Sequence, residues 1–195
     1  KESQNIALGQ TTLTSLRFAT ACGFSPRVRL DLVLNDFVAS ALKNKKIEIL
    51  SDGSPFRPLI HVKDMARAID WSTSRVNVNK DQNLFINVGS DQWNYQIKDL
   101  AEKTSKKISG CTLSINKNAS PDKRSYKVDF SKYDNLAKDY RCTISLDEAI
   151  DGLVFGLKNC ADLAKNFRET DYMRLNCLNN LINMSIIDNN LNLKM

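Results

Sequence analysis

The chain has 195 residues, 42% of them hydrophobic and 26% charged, the composition of a globular protein of one domain or a little more. No run approaches the roughly 20 apolar residues of a membrane-spanning helix, and the opening KESQNIALGQ lacks the apolar core of a signal peptide, so neither a membrane partner nor export is expected. The formal charge of +6 invites a nucleic-acid reading, but the basic residues are scattered over 43–46, 103–107 and 122–127 instead of forming a stripe among aromatics, and no nucleic-acid partner is expected.

In chain order, TLTSLRFATACG (12–23) predicts one strand ending at Gly23. The period then changes. Leu30, Val33, Leu34, Phe37, Val38, Ala41 and Leu42 fall at helical spacing and predict an amphipathic helix. IEIL (47–50) predicts a short strand and SDGS a turn. FRPLIHV is expected to be extended, because Pro58 disfavours helix at Arg57 and has no amide to donate. KDMARAIDW predicts a helix that packs Met65, Ala66, Ala68 and Ile69 inward. LFINVGS (84–90) predicts a buried strand, and YQIKDLAEKTSKKI a helix with Ile97, Leu100 and Ala101 on its apolar face. CTLSIN (111–116) predicts a strand and SYKVDFS (125–131) a short extended piece. SLDEAIDGLVFGLKN (145–159) opens with Ser145 and places Glu148 three residues later, a capping box. Gly152 and Gly156 inside that helix predict close packing. Weaker helical patterns cover 161–168 and 173–183. Strands alternating with helices make this an α/β chain, without internal repeat or linker.

Residues that would carry chemistry are sparse. The seven glycines form neither a G-x-G-x-x-G turn nor a Walker A loop. His61 is the sole histidine, and no Ser or Cys stands in a nucleophile-elbow pattern. The five cysteines (Cys22, Cys111, Cys142, Cys160, Cys177) are odd in number and contain no CxxC, which with a single histidine argues against zinc. Without an export signal, reduced thiols and a cytoplasmic location are expected. Two arginines remain in suggestive settings: Arg57 ahead of an extended apolar segment, and Arg124 in SPDKRSYKVD. A guanidinium is planar, permanently charged and matched to phosphate oxygens, so two that converge would suit a diphosphate; ordinary surface arginine is the alternative.

Four stretches carry a resemblance: LRFATACGFSPRVRLDLVLNDFVASAL, ILSDGSPFRPLIHVKDMARAI, FINVGSDQWNYQIKDLA and SPDKRSYKVDFSK. In this order they resemble the C-terminal part of the extended short-chain dehydrogenase/reductase family, the NAD-dependent nucleotide-sugar epimerases and dehydratases. The similarity runs from about residue 12 to 157, and the tail DYMRLNCLNNLI is similar to a subgroup of that family. It implies the last strands of a Rossmann-like sheet plus a small mixed substrate-binding subdomain over 1–157, with a helical tail over 158–195. It further implies that Arg57, in an R-x-x-I-H-V-x-D pattern, grips the diphosphate of a nucleotide-diphosphate sugar. Arg124, in D-x-R-x-x-x-x-D, would be a second phosphate or ribose contact. Leu32, Val33 and, more loosely, Asn35 would line the nucleotide. Thr20, Ala21 and Cys22 would run beside the nicotinamide of NAD or NADP, with Thr20 also touching substrate where many relatives place asparagine. Cys22 and Phe24 replace the usual Tyr and Pro of that turn. His61 and Asp64 read as structural, Asp64 satisfying amides at its own helix start.

Members of that family begin with a glycine-rich Rossmann half and carry a Tyr-x-x-x-Lys catalytic pair ahead of the strand that starts here near residue 12. The five tyrosines of this chain, Tyr95, Tyr126, Tyr133, Tyr140 and Tyr172, are followed four residues on by Asp99, Phe130, Ala137, Ile144 and Asn176. The resemblance therefore implies the substrate-binding portion of an isomerase or lyase, a truncated or half enzyme with no catalytic residue of its own and no turnover alone. A non-catalytic nucleotide-sugar-binding module is the alternative. Either would leave the strands at 12–18 and 84–88 without neighbours, which implies a homo-oligomer or a partner chain that supplies the Rossmann half.

Overall fold

A computed structural model describes residues 12–75, 83–119, 124–160, 167–170 and 172–194. The fold is α/β, and among the described strands the pairing is parallel except at one short edge. The extended segment predicted as one strand is two: β1 (Leu13–Phe18) and β2 (Thr20–Cys22). β1 pairs in parallel with β5 (Asn83–Val88), from Leu13 opposite Asn83 to Phe18 opposite Val88. β2 pairs in parallel with β4 (Phe56–His61), Thr20 lying opposite Leu59. The break falls at Ala19, whose N–H still donates to the Val88 carbonyl (3.0 Å). The chain thus leaves one sheet and joins the next within a residue. β6 (Asn94–Gln96) adds antiparallel to β4, and β3 (Lys46–Ile49) pairs in parallel with β7 (Thr112–Ile115).

The helices follow the apolar periods. α1 (Val33–Asn44) buries Leu34, Phe37, Val38 and Ala41, while Leu30, predicted to begin its stripe, is fully buried in the loop before it. α3 (Ile97–Lys107) buries Leu100, Ala101 and Thr104, with Ile97 partly covered. α5 (Leu146–Lys158) starts at the predicted capping box: Ser145 Oγ accepts from the Glu148 amide (3.2 Å), and the Glu148 carboxylate accepts from the Ser145 amide (2.7 Å). These elements, with β3 and Phe167, form the larger apolar core. A second core gathers Ile60, Ala68, Trp71, Leu84, Ile86, Val88 and Tyr133 around β1, β5 and α2 (Val62–Ser74).

α2 is rotated from the expected orientation. Its buried residues are Asp64, Ala68 and Trp71; Met65 is half-buried, Ala66 is exposed and Ile69 is 50% exposed. Two anchors set the rotation: the carboxylate of Asp64, bonded to the chain ahead of α5, and Trp71, packed edge-on to Tyr133 (5.5 Å between ring centroids). Residues 125–130, expected to be extended, belong to no strand or helix, and they lead into α4 (Ser131–Leu136), which the sequence pattern does not announce. Of the terminal helical patterns, 161–166 lie outside the described residues, 167–169 form a single 3-10 turn, and α6 spans Arg174–Asn183. All five cysteines are free thiols. Among the described residues no helix is long and apolar enough to cross a membrane.

The two glycines of α5 differ. A Cβ on Gly156 would lie 2.2 Å from Cγ of the Phe24 ring, so close packing holds there, whereas a Cβ on Gly152 meets nothing within 4 Å. Gly152→Ala is expected to raise stability by about 0.5–1 kcal/mol through helix propensity. Gly156→Ala is expected to lower it by about 1–3 kcal/mol, because Phe24 must move. Urea unfolding of both variants checks the opposite signs.

Candidate functional site

A cleft of about 540 Å³ opens between the start of α1, the end of β3 and the first residues of β4. That volume is within the range of small-ligand sites. Its wall includes Thr20, Leu32, Val33, Arg57 and Arg124. The start of α1 reaches the wall with no side-chain cap on its amides, Leu32 being the N-cap residue. Uncapped amides at a helix start favour negative charge.

Hydrogen bonding explains why the two arginines meet. The amide of Phe56 donates to Ser125 Oγ (3.0 Å), and the amide of Tyr126 donates back to the Phe56 carbonyl (3.4 Å). This pair of bonds lays residues 124–126 along the start of β4, so Arg124 and Arg57 both border the cleft. The Tyr126 ring sits under the Arg57 guanidinium at 5.6 Å, and Lys127 Nζ lies 4.1 Å from the Phe56 ring centroid. A cation held against an aromatic face loses little orientation when a ligand arrives.

The loop that carries Leu32 and Val33 is tied down by Asn35. Its Oδ1 accepts from the Gly23 amide (3.0 Å), and its Nδ2 donates to the Arg29 carbonyl (2.9 Å). Asn35 is 2% exposed and is absent from the cleft wall; its side chain is committed to holding the loop. Ala21 and Cys22 are likewise absent from the wall. Cys22 is fully buried, and burial pushes its thiol well above the ordinary range, so it stays protonated and unreactive.

Several wall residues were not singled out from sequence as site residues: Asp31, Phe37, Glu48, Ile49, Leu50 and Ile97. Leu50 carries a signal in hindsight. β3 alternates exposed and buried, so the adjacent apolar residues Ile49 and Leu50 cannot both turn inward, and Leu50 is 84% exposed at the cleft edge. The two acids are paired on their own side. Asp31 accepts from Arg29 (2.5 Å), a contact that holds its carboxyl below the usual range, and Glu48 pairs with Lys46.

His61 and Asp64 are structural, with their roles redistributed. His61, not Asp64, caps α2: its Nδ1 accepts from the Lys63 amide (3.2 Å). Asp64 reaches away from its own helix. Its Oδ1 accepts from the Thr143 amide (3.0 Å) and its Oδ2 from the Ile144 amide (3.3 Å), fixing the chain that enters α5. A Cβ on Gly23 (φ +102°) would fall 2.3 Å from His61 Nε2, so only glycine admits the imidazole here.

Residues 4–89 match the NAD dependent epimerase/dehydratase family. The fold is similar to that of UDP-glucuronic acid 4-epimerase from Bacillus cereus in complex with NAD: 25% identity, TM-score 0.59, covering 78% of this chain and 45% of that one. It is also similar to UDP-glucose 4-epimerase from Bifidobacterium longum in complex with NAD⁺ and UDP: 14% identity, TM-score 0.65, covering 84% and 52%. An NAD dependent NDP-hexosamine 5,6-dehydratase of tunicamycin biosynthesis matches at 14% identity and TM-score 0.61, covering 77% and 46%. The chain spans about half the length of these structures.

Burial pushes the His61 imidazole below its ordinary 6.5, against the upward pull of Asp64. A neutral ring is also what an Nδ1 acceptor requires. The unfolded chain therefore takes up a proton at a higher pH than the folded one. This contribution to stability is full above about pH 6.5 and is lost as pH falls toward the depressed folded value. Unfolding free energies between about pH 7 and about pH 5 should decline less steeply in His61→Gln than in the wild type.

Proposed function

From the match of residues 4–89 to the NAD dependent epimerase/dehydratase family we propose that this chain is the nucleotide-sugar-binding part of such an enzyme. The observation that carries the reading is the meeting of Arg57 and Arg124, remote in sequence, on the wall that also holds Thr20, Leu32 and Val33. Their guanidinium forks would take the diphosphate, with the uncapped start of α1 favouring the same negative charge. The apolar wall of Leu32, Val33, Ile49 and Leu50 would take the nucleoside. The matched solved structures in complex with UDP or UDP-sugars support a uridine diphosphate as the ligand to try first.

NAD, when bound, supplies a hydride acceptor. The described residues do not form the glycine turn that would cradle its pyrophosphate. Gly23 is closed off by His61 and Gly89 by Phe130, whose ring carbons would lie 2.7 Å from an added Cβ. No step of the reaction is therefore assigned to the described residues; what they would do is bind and orient the nucleotide. Sheets of parallel strands are normally covered on both faces. Among the described residues β1 pairs only with β5, is half-buried, and leaves Arg17 exposed. This favours an assembly in which a Rossmann half, on the same polypeptide or a partner, completes the sheet beside β1 and holds the cofactor. Whether the complete protein is an epimerase, a dehydratase or a non-catalytic binder follows from that half.

Titration calorimetry with UDP tests the reading. Arg57→Ala and Arg124→Ala are each expected to weaken binding by about 10- to 100-fold, the loss of one or two charge-assisted hydrogen bonds. Arg57→Lys should recover only part of it, since an ammonium lacks the fork. Unchanged affinity in both alanine variants would overturn the proposal.

A further inference from the structure

We propose that Arg168 is a positioning residue for the cleft, through a strap of C-terminal chain that grips the nucleotide-facing wall from behind. The inference rests on the nucleotide reading only for the identity of the ligand.

The strap holds the wall at two places. Arg168 Nη2 lies 2.8 Å from Asp36 Oδ1 and 3.1 Å from Ser40 Oγ. Asp36 and Ser40 are one turn apart on α1, so a single guanidinium spans both. Farther along, the Tyr172 carbonyl accepts from the Leu30 amide (3.4 Å). The attachments at Leu30 and Asp36 bracket Asp31, Leu32 and Val33, all of them on the cleft wall. The strap itself is anchored. Phe167 is 1% exposed inside the larger core, Tyr172 and Met173 pack partly against it, and Asn176 Nδ2 donates to the Arg168 carbonyl (2.6 Å).

None of the strap residues borders the cleft, so the strap acts through the wall. Asn35 restrains the loop from the Gly23 side, and the strap restrains it from the opposite end. Asp36 makes the grip selective for a cation. Burial pushes its carboxyl upward while Arg168 pulls it back, so a neutral side chain at 168 would leave a poorly solvated carboxylate one turn into α1. The Arg168 side chain is 51% exposed, and its loss creates no core cavity.

The test compares the full chain with Arg168→Met, Arg168→Lys, Asp36→Asn and the Arg168→Met/Asp36→Asn double variant. Amide hydrogen exchange is read over 28–36 and, as an internal control, over β1 and β5, together with UDP affinity. Arg168→Met is expected to speed exchange over 28–36 by about tenfold with β1 and β5 unchanged, and to weaken UDP by about fivefold. Arg168→Lys should restore most of both, and the double variant should add little to Arg168→Met. A uniform rise in exchange over the whole chain would reveal a merely structural role, and unchanged exchange over 28–36 would also overturn the proposal. Failure of the wild type to bind UDP would remove the nucleotide reading and leave the exchange result to decide the strap.

Discussion

The single-residue step at Ala19 is the constraint on which the arrangement depends. Six residues on one side pair with β5, and three on the other pair with β4. Had the segment continued as one strand, Thr20 would extend the β1–β5 ladder instead of bordering the cleft. The step also joins the two apolar cores: Phe18 and Ala19 pack against the smaller, while Cys22 lies wholly within the larger. Small side chains around the crossing, with glycine at 23, allow the chain to turn without displacing His61.

From this crossing, buried polar side chains carry the order outward. A buried polar group costs free energy unless its bonds are made, so each one that is satisfied pins the elements it joins. His61 closes β4 into α2, and Asp64, on the first turn of α2, holds the amides of Thr143 and Ile144. Those amides precede the capping box of α5, and α5 receives the Phe24 ring at Gly156. Phe24 opens the loop that Asn35 fastens and that ends on the cleft wall. The cluster in HVKD is thus a bracket several steps removed from any ligand.

The cleft itself is assembled from segments distant in sequence. The loop before α1, the end of β3, the start of β4 and the chain around Arg124 contribute one side each, and backbone bonds at Phe56 bring the last two together. The Arg57 guanidinium rests on the Tyr126 ring and the Phe56 carbonyl, while the acids at 31 and 48 are occupied by neighbouring cations. Under the proposed function, groups held in this way would suit a ligand with concentrated negative charge at one end and an apolar face at the other.

Local patterns were enough for α1, α3 and α5. Their apolar residues recur at the helical period, and Ser145 with Glu148 marks a start by chemistry confined to four residues. The four quoted stretches were likewise enough to point to the fold. The break at Ala19 was not legible, because TLTSLRFATACG has one uninterrupted extended preference and only the two partners, β4 and β5, decide where it divides. Nor was the rotation of α2: Ile69 is as apolar as any core residue, yet Asp64 and Trp71 bind partners about 80 and 60 residues away and turn it outward. Periodicity within the chain determined which segments are helices and strands. Which residues share the cleft was decided by the tertiary structure, because hydrogen bonds between remote segments, unlike periodicity, leave no trace at fixed spacing.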